Sequence, residues 1–421
     1  MEKLIIKGKK KLNGVIKISG SKNATLPILA ASILSDKKIE ITNIPIVKDV
    51  LTMVKLLKYI GSDVKFHLKK KKILINNKNR NLKTIAPYHL LRTMRAGIVV
   101  LGPLLSKYKK AKVSLPGGCA IGSRPVDIHL FALKKLGAKI KIKNGYIFAE
   151  AKEGLIGTKI RFPSISVGAT ENVIIAASCA KGITYLKNCA SEPEVKNLTN
   201  FLKNMGVKIH WKNNRELKIV GSKKLRSAKH KVMFDRIEAG TFLIAGALIG
   251  NNFKVSGIIP AILKNEIGIL KKMGVKLKVG KKSVTIFKSK NLRSVSINTQ
   301  PYPGFPTDLQ AQIMVLMTKA KGISKIKENI FENRFMHVPE LNRMGAKIKI
   351  SGNLSTITGP QDLNGAEVMA TDLRASVSLV LAGLIANNET MVNRVYHLDR
   401  GYEKLEKKLR KCKANIFRTN Q

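Results

Sequence analysis

The hydrophobic pattern of this chain repeats six times, with copies spaced about 70 residues apart. In each copy a helical pattern ends in an apolar residue and a glycine, and a short strand of alternating polar and apolar residues follows. The glycine is typical of a left-handed helix C-cap. The sixth copy carries Lys413 in its place, which predicts a weaker cap. The copies begin at Leu57, Leu133, Leu202, Leu270, Leu341 and Leu409.

A second and far more apolar helix precedes the repeated segment, as in residues 26–34 and 376–383. A helix that is apolar on nearly all sides packs in a protein interior. Each repeat is therefore predicted to be helix, strand, helix, strand. Three repeats per domain predict an α/β protein of two inside-out domains, in which buried parallel helices are surrounded by sheets.

The length of 421 residues favours two domains rather than one core. Residues 1–21 have a strand pattern with no helix before it, so we expect them to complete the last repeat. The predicted domains are residues 22–233, and residues 1–21 together with 234–421. The chain is expected to cross between them near residues 231–234, with the active site in the cleft between the domains.

Polar residues begin every buried helix. Lys22, Arg95 and Arg236 are placed against the helix dipole, which makes a cation at an N-terminus unfavourable by about 0.3–1 kcal/mol. Capping explains the Thr and Asp residues, and Thr307 with Gln310 is predicted to form a capping box. Capping does not explain the cations. If the helices of a domain are parallel, their starts meet, which predicts a polar site there.

Residues 114–125 form a glycine-rich loop that carries Cys119 and Arg124, and Pro125 is expected at the first position of the next helix. A thiol and a guanidinium beside a helix N-terminus are suited to binding an anion. The alternative is a glycine-rich turn with a small buried cysteine.

The net charge of +52 suggests a nucleic-acid partner, but the sequence does not favour one. The lysines are spread over nearly every segment, and aromatic residues, at 5%, are not interleaved with them. Abundant Lys, Ile and Asn together favour an A+T-rich genome as the cause. The four cysteines lack disulfide or zinc spacing. No signal-like segment and no apolar run of about 18 residues is found, so we expect a cytoplasmic protein without a membrane partner.

Five segments resemble one family in order along the chain: residues 19–27, 116–127, 305–312, 331–341 and 396–402. They are similar to the UDP-N-acetylglucosamine 1-carboxyvinyltransferase family of enolpyruvyl transferases. The resemblance implies transfer of the enolpyruvyl group of phosphoenolpyruvate to the 3′-hydroxyl of UDP-N-acetylglucosamine. Phosphate leaves by addition and elimination, with no metal or organic cofactor. In the family this is the first committed step of peptidoglycan synthesis.

The resemblance also implies roles for individual residues. Cys119 would protonate the methylene carbon of phosphoenolpyruvate, and Asp308 would be the base for the sugar hydroxyl, with Asp372 supporting proton movement. The cations that would hold phosphate and carboxylate are Lys22, Arg95, Arg124 and Arg400. The other implied substrate contacts are Asn23 and Asp308 on the amino sugar, Arg124, Pro125, Val126, Asp127, His129, Ser166, Val167, Gly168 and Ile330 on the nucleotide side, and Arg334 and Arg374 without an assigned role.

Several alternatives stay open at this point. Arg374 could pair with Asp372 for structural reasons, and His337 and His397 could be ordinary structural histidines. Glu192 and Glu194 are predicted to be solvated or to lie at a hinge. The related reaction on shikimate 3-phosphate, a nucleic-acid binder and an inactive relative are the competing functions.

Overall fold

The structure, a computed structural model, describes residues 2–78, 82–117 and 126–420. These residues divide into two units: a first unit of residues 20–117 and 126–233, and a second unit of residues 2–19 and 234–420. The first unit begins at Gly20 and ends at Met233. Its two ends lie side by side, since the backbone N–H of Ser21 donates to the carbonyl of Met233 at 2.8 Å. The predictions for Cys119, Arg124 and Pro125 concern residues outside the described ranges.

The described residues form 24 strands and 13 α-helices. The strands are β1 (Glu2–Lys7), β2 (Leu12–Lys17), β3 (Ile39–Thr42), β4 (Asp63–His67), β5 (Lys72–Asn76), β6 (Ile85–Ala86), β7 (Lys110–Ser114), β8 (Lys139–Lys143), β9 (Tyr146–Glu150), β10 (Lys159–Arg161), β11 (Ile183–Lys187), β12 (Lys208–Asn213), β13 (Glu216–Val220), β14 (Ala228–Lys231), β15 (Gly250–Ser256), β16 (Leu277–Gly280), β17 (Ser283–Ile286), β18 (Ser296–Asn298), β19 (Gly322–Lys327), β20 (Lys347–Ser351), β21 (Leu354–Gly359), β22 (Glu367–Met369), β23 (Glu389–Asn393) and β24 (Asn415–Asn420).

Most of the helices fall into two kinds, apolar and amphipathic, that alternate along the chain. The α-helices are α1 (Lys22–Ala31), α2 (Lys48–Ile60), α3 (Tyr88–Leu91), α4 (Leu101–Tyr108), α5 (Asp127–Lys135), α6 (Val167–Ala177), α7 (Pro193–Asn204), α8 (Arg236–Ile249), α9 (Lys264–Lys272), α10 (Gln310–Met317), α11 (Val338–Arg343), α12 (Leu373–Ile385) and α13 (Leu405–Lys411). Short 3₁₀ helices cover Ser32–Leu34, Arg95–Val100, Pro260–Leu263, Thr307–Leu309 and Val395–Arg400. None of the helices in the described ranges combines the length and apolar composition that crossing a membrane requires.

The strands of each unit form three four-stranded sheets with one common layout. In every sheet one edge strand pairs in parallel with its neighbour, and the other pairings are antiparallel. The sheets of the first unit have the orders β14-β3-β5-β4, β6-β7-β9-β8 and β10-β11-β13-β12, and those of the second unit β2-β15-β17-β16, β18-β19-β21-β20 and β22-β23-β1-β24.

The N-terminal strands belong to sheets of the second unit. β1 lies between β23 and β24, with Ile5 opposite both Met391 and Phe417. β1 is the third strand in the order β22-β23-β1-β24. In the other sheets this third position is held by the second strand of a hairpin, as β5 is in β14-β3-β5-β4. β2 pairs in parallel with β15 and opens the fourth sheet. In the first unit β14 likewise pairs in parallel with β3 as the edge strand of its sheet, although the two strands lie far apart in the sequence.

The apolar helices fill the interior of each unit. α1, α4 and α6 lie in the first hydrophobic core and α8, α10 and α12 in the second, and each core is confined to one unit. In α12 every residue from Arg374 to Ile385 is buried. The outer helices α2, α7 and α9 are amphipathic, since only one of their faces is buried. The predicted inside-out fold is thus confirmed.

The backbone angles at the six repeated C-caps confirm the repeat. The five glycines adopt φ values between 86° and 111°. Lys413, in the sixth copy, has a φ of 72° and therefore adopts the same left-handed conformation. For a residue with a Cβ this conformation costs about 1–2 kcal/mol. The five glycines are Gly61, Gly137, Gly206, Gly274 and Gly345.

Candidate functional site

In the second unit, two arginines hold the carboxylate of Asp308. This residue lies in the 3₁₀ turn that leads into α10. Arg334 donates from Nη2 to Oδ1 at 2.7 Å, and Arg374 donates from Nη2 to Oδ2 at 2.8 Å. The side chain of Asp308 is 28% exposed, whereas those of Arg334 and Arg374 are 4% and 7% exposed. The carboxylate is therefore fixed in orientation and still has an accessible edge.

Arg374 is anchored on its other side by Tyr402. Its Nη1 donates to the Tyr402 hydroxyl at 3.2 Å, and that hydroxyl lies 2.8 Å from Oγ1 of Thr241. Burial would lower the pKa of Arg374, but the charge of Asp308, its hydrogen bond to Arg374 and the effects of Tyr402 and Asp235 together outweigh it, and the pKa is raised. Burial raises the pKa of Tyr402 against the opposing effect of Arg374. A charged guanidinium thus links a neutral phenol to the carboxylate.

Asp372 is the N-cap of α12 and does not pair with the side chain of Arg374. Its Oδ1 accepts from the backbone N–H of Arg374 at 2.7 Å and of Ala375 at 3.2 Å. The alternative that Arg374 pairs with Asp372 is wrong for the guanidinium, because it reaches Asp308 instead. One residue, Arg374, is therefore hydrogen-bonded to both predicted acids, to one through its backbone and to the other through its side chain.

The capping box predicted for Thr307 and Gln310 is wrong. The turn has Pro306 as its N-cap, with no side-chain cap. The Thr307 hydroxyl donates instead to Oε2 of the buried Glu328 at 2.9 Å. The other oxygen of Glu328 accepts from the backbone N–H of Ile330 at 2.9 Å. The Thr307 hydroxyl is therefore bound to the buried carboxylate of Glu328, 21 positions along the chain, instead of capping the turn. The same carboxylate holds the backbone of Ile330 in place.

Two further predicted groups lie in the second unit. Arg400 ends the 3₁₀ helix Val395–Arg400 and is partly buried. His337 is fully enclosed at the start of α11. Burial lowers the pKa of His337 to about 4, although the charge of Asp372 opposes this shift. The imidazole of His337 is therefore neutral at pH 7.

In the first unit, Lys22 pairs with an acid from the next helix. Lys22 is the first residue of α1, after its N-cap Ser21. Its Nζ lies 3.1 Å from Oδ2 of Asp49 in the first turn of α2, and both side chains are mostly buried. This carboxylate offsets the unfavourable position of a cation at a helix start. Asn23 follows and is partly buried.

His129 and the start of α6 form a second group in the first unit. α5 begins at Asp127 with Val126 as its N-cap, two residues after the predicted start. His129 is buried, and a Cβ built on Gly168 would lie 3.3 Å from its Nε2. Burial lowers the pKa of His129 to about 4, and the charge of Arg95 acts in the same direction.

Ser166 caps α6, where its Oγ accepts from the backbone N–H of Ala169 at 3.3 Å. Val167 is exposed and Gly168 is partly buried. The fold therefore packs His129 against Gly168 and brings α5 and α6, whose N-caps are Val126 and Ser166, into contact. The resemblance assigns all four residues to the nucleotide side. Arg95, at the start of its own 3₁₀ helix, acts electrostatically on the same imidazole.

The prediction that Glu192 and Glu194 are solvated is wrong, because both are buried at the start of α7, and the alternative that they lie at a hinge stays a prediction. Glu171 of α6 is buried as well. Burial, and then the charges of Glu194 and Glu192, raise the pKa of Glu171 well above its usual value. Within the described ranges, no three His, Cys, Asp or Glu side chains are grouped so that they could hold a metal ion.

The chain is similar to known proteins over nearly its whole length. Residues 6–409 match the family described as EPSP synthase (3-phosphoshikimate 1-carboxyvinyltransferase). The UDP-N-acetylglucosamine 1-carboxyvinyltransferase of Pelagibacter ubique (strain HTCC1062) is 59% identical over 420 residues, which cover 100% of both chains. The chain belongs to the enolpyruvyl transferase family. The enzyme of the same name from Rickettsia felis (strain ATCC VR-1525 / URRWXCal2) is 53% identical over 99% of this chain and 100% of the relative.

Solved structures share the fold of this enolpyruvyl transferase. The enolpyruvyl transferase NikO from Streptomyces tendae superposes with a TM-score of 0.91 at 24% identity, and the match covers 100% of this chain and 99% of NikO. EPSP synthase from Acinetobacter baumannii superposes with a TM-score of 0.74 at 18% identity, over 100% of both chains. The resemblance stated from the five sequence motifs is confirmed.

Several residues of these groups had no role predicted from the sequence, among them Tyr402, Asp49 and Asn172, whose Nδ2 lies 3.1 Å from Nδ1 of His129. Tyr402 closes the motif 396–402, and Asn172 closes the helix start 169–172, so position in a motif was the signal available for both. Asp49 had no such signal, because it lies in the first turn of an ordinary amphipathic helix. Only the packing of α1 against α2 shows that it meets Lys22.

Proposed function

We propose that this enolpyruvyl transferase moves the enolpyruvyl group of phosphoenolpyruvate to the 3′-hydroxyl of UDP-N-acetylglucosamine and releases phosphate. This is the first committed step of peptidoglycan synthesis. The observation that carries the proposal is the 59% identity, over the whole chain, to a relative named for this activity. The arrangement of polar groups in each unit supports it.

The second unit supplies the base. Asp308 accepts the proton of the 3′-hydroxyl through its accessible edge, while Arg334 and Arg374 fix its orientation. In the proposed reaction the hydroxyl loses its proton while its oxygen attacks an activated carbon. Asp372 supports proton movement nearby, and Arg400 binds the carboxylate or phosphate of phosphoenolpyruvate.

The first unit supplies cations and the acid. Lys22, Arg95 and Arg124 hold the phosphate, and Cys119 protonates the methylene carbon. The 3′-oxygen then bonds to the adjacent carbon and gives a tetrahedral intermediate. In the second step the carbon–oxygen bond to phosphate breaks, and the new methyl group loses a proton. The roles of Cys119 and Arg124 are predictions from the sequence alone.

The nucleotide and the sugar take the remaining predicted residues. We assign the amino sugar to Asn23 and Asp308. The nucleotide side is assigned to Arg124, Pro125, Val126, Asp127, His129, Ser166, Val167, Gly168 and Ile330. No metal or organic cofactor takes part in the proposed reaction. A cytoplasmic location and the absence of a nucleic-acid partner stay predictions.

The test is phosphate release from phosphoenolpyruvate in the presence of either acceptor. We expect release with UDP-N-acetylglucosamine and none above background with shikimate 3-phosphate. The opposite preference would assign the chain to the reaction of the sister enzymes, and no release with either acceptor would reject the proposal.

A second test concerns the acid. We expect the epoxide fosfomycin to alkylate Cys119, because the resemblance implies a reactive thiol at this position. Mass spectrometry of the peptide that contains Cys119 reads out the adduct, and the buried Cys189 and Cys412 are internal controls that stay unmodified. An unmodified Cys119 after incubation with the epoxide and UDP-N-acetylglucosamine would contradict its assignment as the acid.

A further inference from the structure

The amide of Asn172 has only one possible orientation. The backbone N–H of Gly102 points at one end of this amide, 2.7 Å away. A backbone N–H can only donate, so the atom that faces it is the oxygen Oδ1. The other end is therefore the NH₂ group, and the carbonyl of Ile98, 3.4 Å from Nδ2, is placed to accept from it.

This orientation determines the tautomer of His129. The Nδ2 of Asn172 lies 3.1 Å from Nδ1 of His129. Because Nδ2 donates, Nδ1 has to be the acceptor and carries no proton. A neutral imidazole then has its proton on Nε2. The low pKa of His129 agrees with a neutral ring at pH 7.

The protonated nitrogen faces the start of α6. His129 is 7% exposed, and its Nε2 has no hydrogen-bond acceptor among the described residues. It lies against Gly168, where any side chain would come into close contact with the ring. In the same helix start, Ser166 satisfies the N–H groups of Ala169 and Thr170. The N–H groups of the two preceding residues have no acceptor in the described part of the chain.

We propose that Asn172 is a positioning residue that holds His129 as the neutral Nε2–H tautomer, so that the ring donates a hydrogen bond to an anionic group bound at the start of α6. With the amides of Val167 and Gly168 this gives three donors around one site. The ligand class is a diphosphate ester. This identification rests on the proposed function, in which the diphosphate belongs to UDP-N-acetylglucosamine.

The charges around the ring fit this role. Arg95 is the described charged group whose field acts on His129, and its charge disfavours an imidazolium. The α6 residues that contact the ring in the described structure, Gly168 and Asn172, are both neutral. On its own helix the nearest acid, Asp127, is exposed to solvent. The ring is therefore a donor whose protonation does not change between pH 6 and 8.

The decisive variant is Asn172→Asp, with binding of UDP-N-acetylglucosamine measured by calorimetry from pH 6 to 8. The introduced carboxylate can only accept, so Nδ1 of His129 has to become the donor. At pH 8 the neutral ring then turns a lone pair toward the diphosphate, and we expect affinity to fall at least about tenfold. At pH 6 the carboxylate favours the imidazolium, which regains the Nε2 donor and most of the affinity.

Wild-type protein should show no such pH dependence, and neither should the matched variant Thr170→Val. Thr170 lies on the same helix and accepts from the backbone N–H of Ala190 at 3.1 Å, so this variant also loses one buried hydrogen bond but does not touch the ring. Uridine, which lacks the diphosphate, should bind wild type and Asn172→Asp equally. A flat pH profile for Asn172→Asp with UDP-N-acetylglucosamine would overturn the proposal.

The tautomer can be read directly without any variant at Asn172. Long-range ¹H–¹⁵N spectra of protein labelled at its seven histidines should contain an Nε2–H pattern that is constant from pH 6 to 8 and is missing in His129→Gln. An Nδ1–H pattern or a titration in that range would refute the inference and leave the proposed function standing. If wild type binds no UDP-N-acetylglucosamine, the proposed function fails instead, whatever the tautomer.

Discussion

The two units differ in the charged residues at the starts of their buried helices. In the first unit two of these starts hold a cation with no acidic cap before it, Lys22 and Arg95, which the helix dipole disfavours. In the second unit the N-caps of α8 and α12 are acids, Asp235 and Asp372, which accept from backbone N–H groups and which the dipole favours, and an arginine, Arg236 or Arg374, follows each of them in the first turn. One repeat therefore supports either sign of charge.

The difference is compensated locally within each unit. A single acid, Asp49, reaches the cation at the start of α1. In the second unit two buried arginines reach the acid before α10. The helix starts therefore provide positions for charged side chains. Residues from neighbouring elements supply the opposite charge, and they determine whether a cation or an acid is stable at each position. Four measurements test this comparison of the two units.

The largest effect is expected for Asp308→Asn. If this acid is the base, its loss should lower kcat by about 10²–10⁴-fold, which is the usual contribution of general base catalysis. Steady-state phosphate release measures the effect. Asp362→Asn is the matched control, because Asp362 is an exposed acid that also pairs with a cation, Lys319. A kcat within threefold of wild type would remove Asp308 from its assigned role.

A smaller effect is expected in the first unit, for Asp49→Asn. Without the carboxylate, Lys22 loses the partner that holds its Nζ 3.1 Å away. We expect the KM for phosphoenolpyruvate to rise by about tenfold, with a smaller change in kcat, because a hydrogen bond to a charged group is weakened. The control is Asp36→Asn, which removes an exposed acid from Lys107. Equal kinetics for the two variants would show that Asp49 does not position the cation.

Glu171→Gln tests the one buried helix of the first unit that carries an acid. The pKa of Glu171 is raised in the folded state by burial and by Glu194 and Glu192, so the folded protein binds more protons than the unfolded chain. Its contribution to stability is therefore present at low pH and is lost as the pH rises above the usual carboxyl range. We expect the variant to be more stable than wild type at pH 8, and we expect this difference in stability to be smaller at pH 5.

Thermal unfolding across this pH range measures the difference, and Glu153→Gln, at an exposed acid, should leave the curve unchanged. A stability gap that is constant with pH would mean that Glu171 carries the same charge in the folded and unfolded states.

The smallest effect concerns the one repeat whose cap departs from glycine. Lys413→Gly should stabilise the protein by about 1 kcal/mol, because glycine adopts a positive φ without strain. Lys407→Gly, at an exposed position inside α13, should destabilise it by about the same amount. Urea unfolding compares the two. If Lys413→Gly is destabilising, the lysine side chain itself supports the cap.

The sequence by itself determined the architecture of this protein. The apolar helices, the C-cap positions and the strands that follow them could be read from local periodicity, because burial of one face and a positive φ are properties of short segments. The family and the proposed reaction also followed from motifs of contiguous residues. Of the residues implied for catalysis, Lys22, Cys119, Asp308 and Arg400 lie in these motifs, whereas Asp372 lies outside them at the start of a buried helix.

Only the tertiary structure decided which partner each charged residue takes. Arg374 lies two residues from Asp372, yet its guanidinium binds Asp308, which is 66 positions away. Glu192 looked solvated because a proline follows it, but the packing of α7 against α6 buries it. The physical reason is that charges interact over a few ångströms of space, and the distance between helices cannot be read from either helix alone.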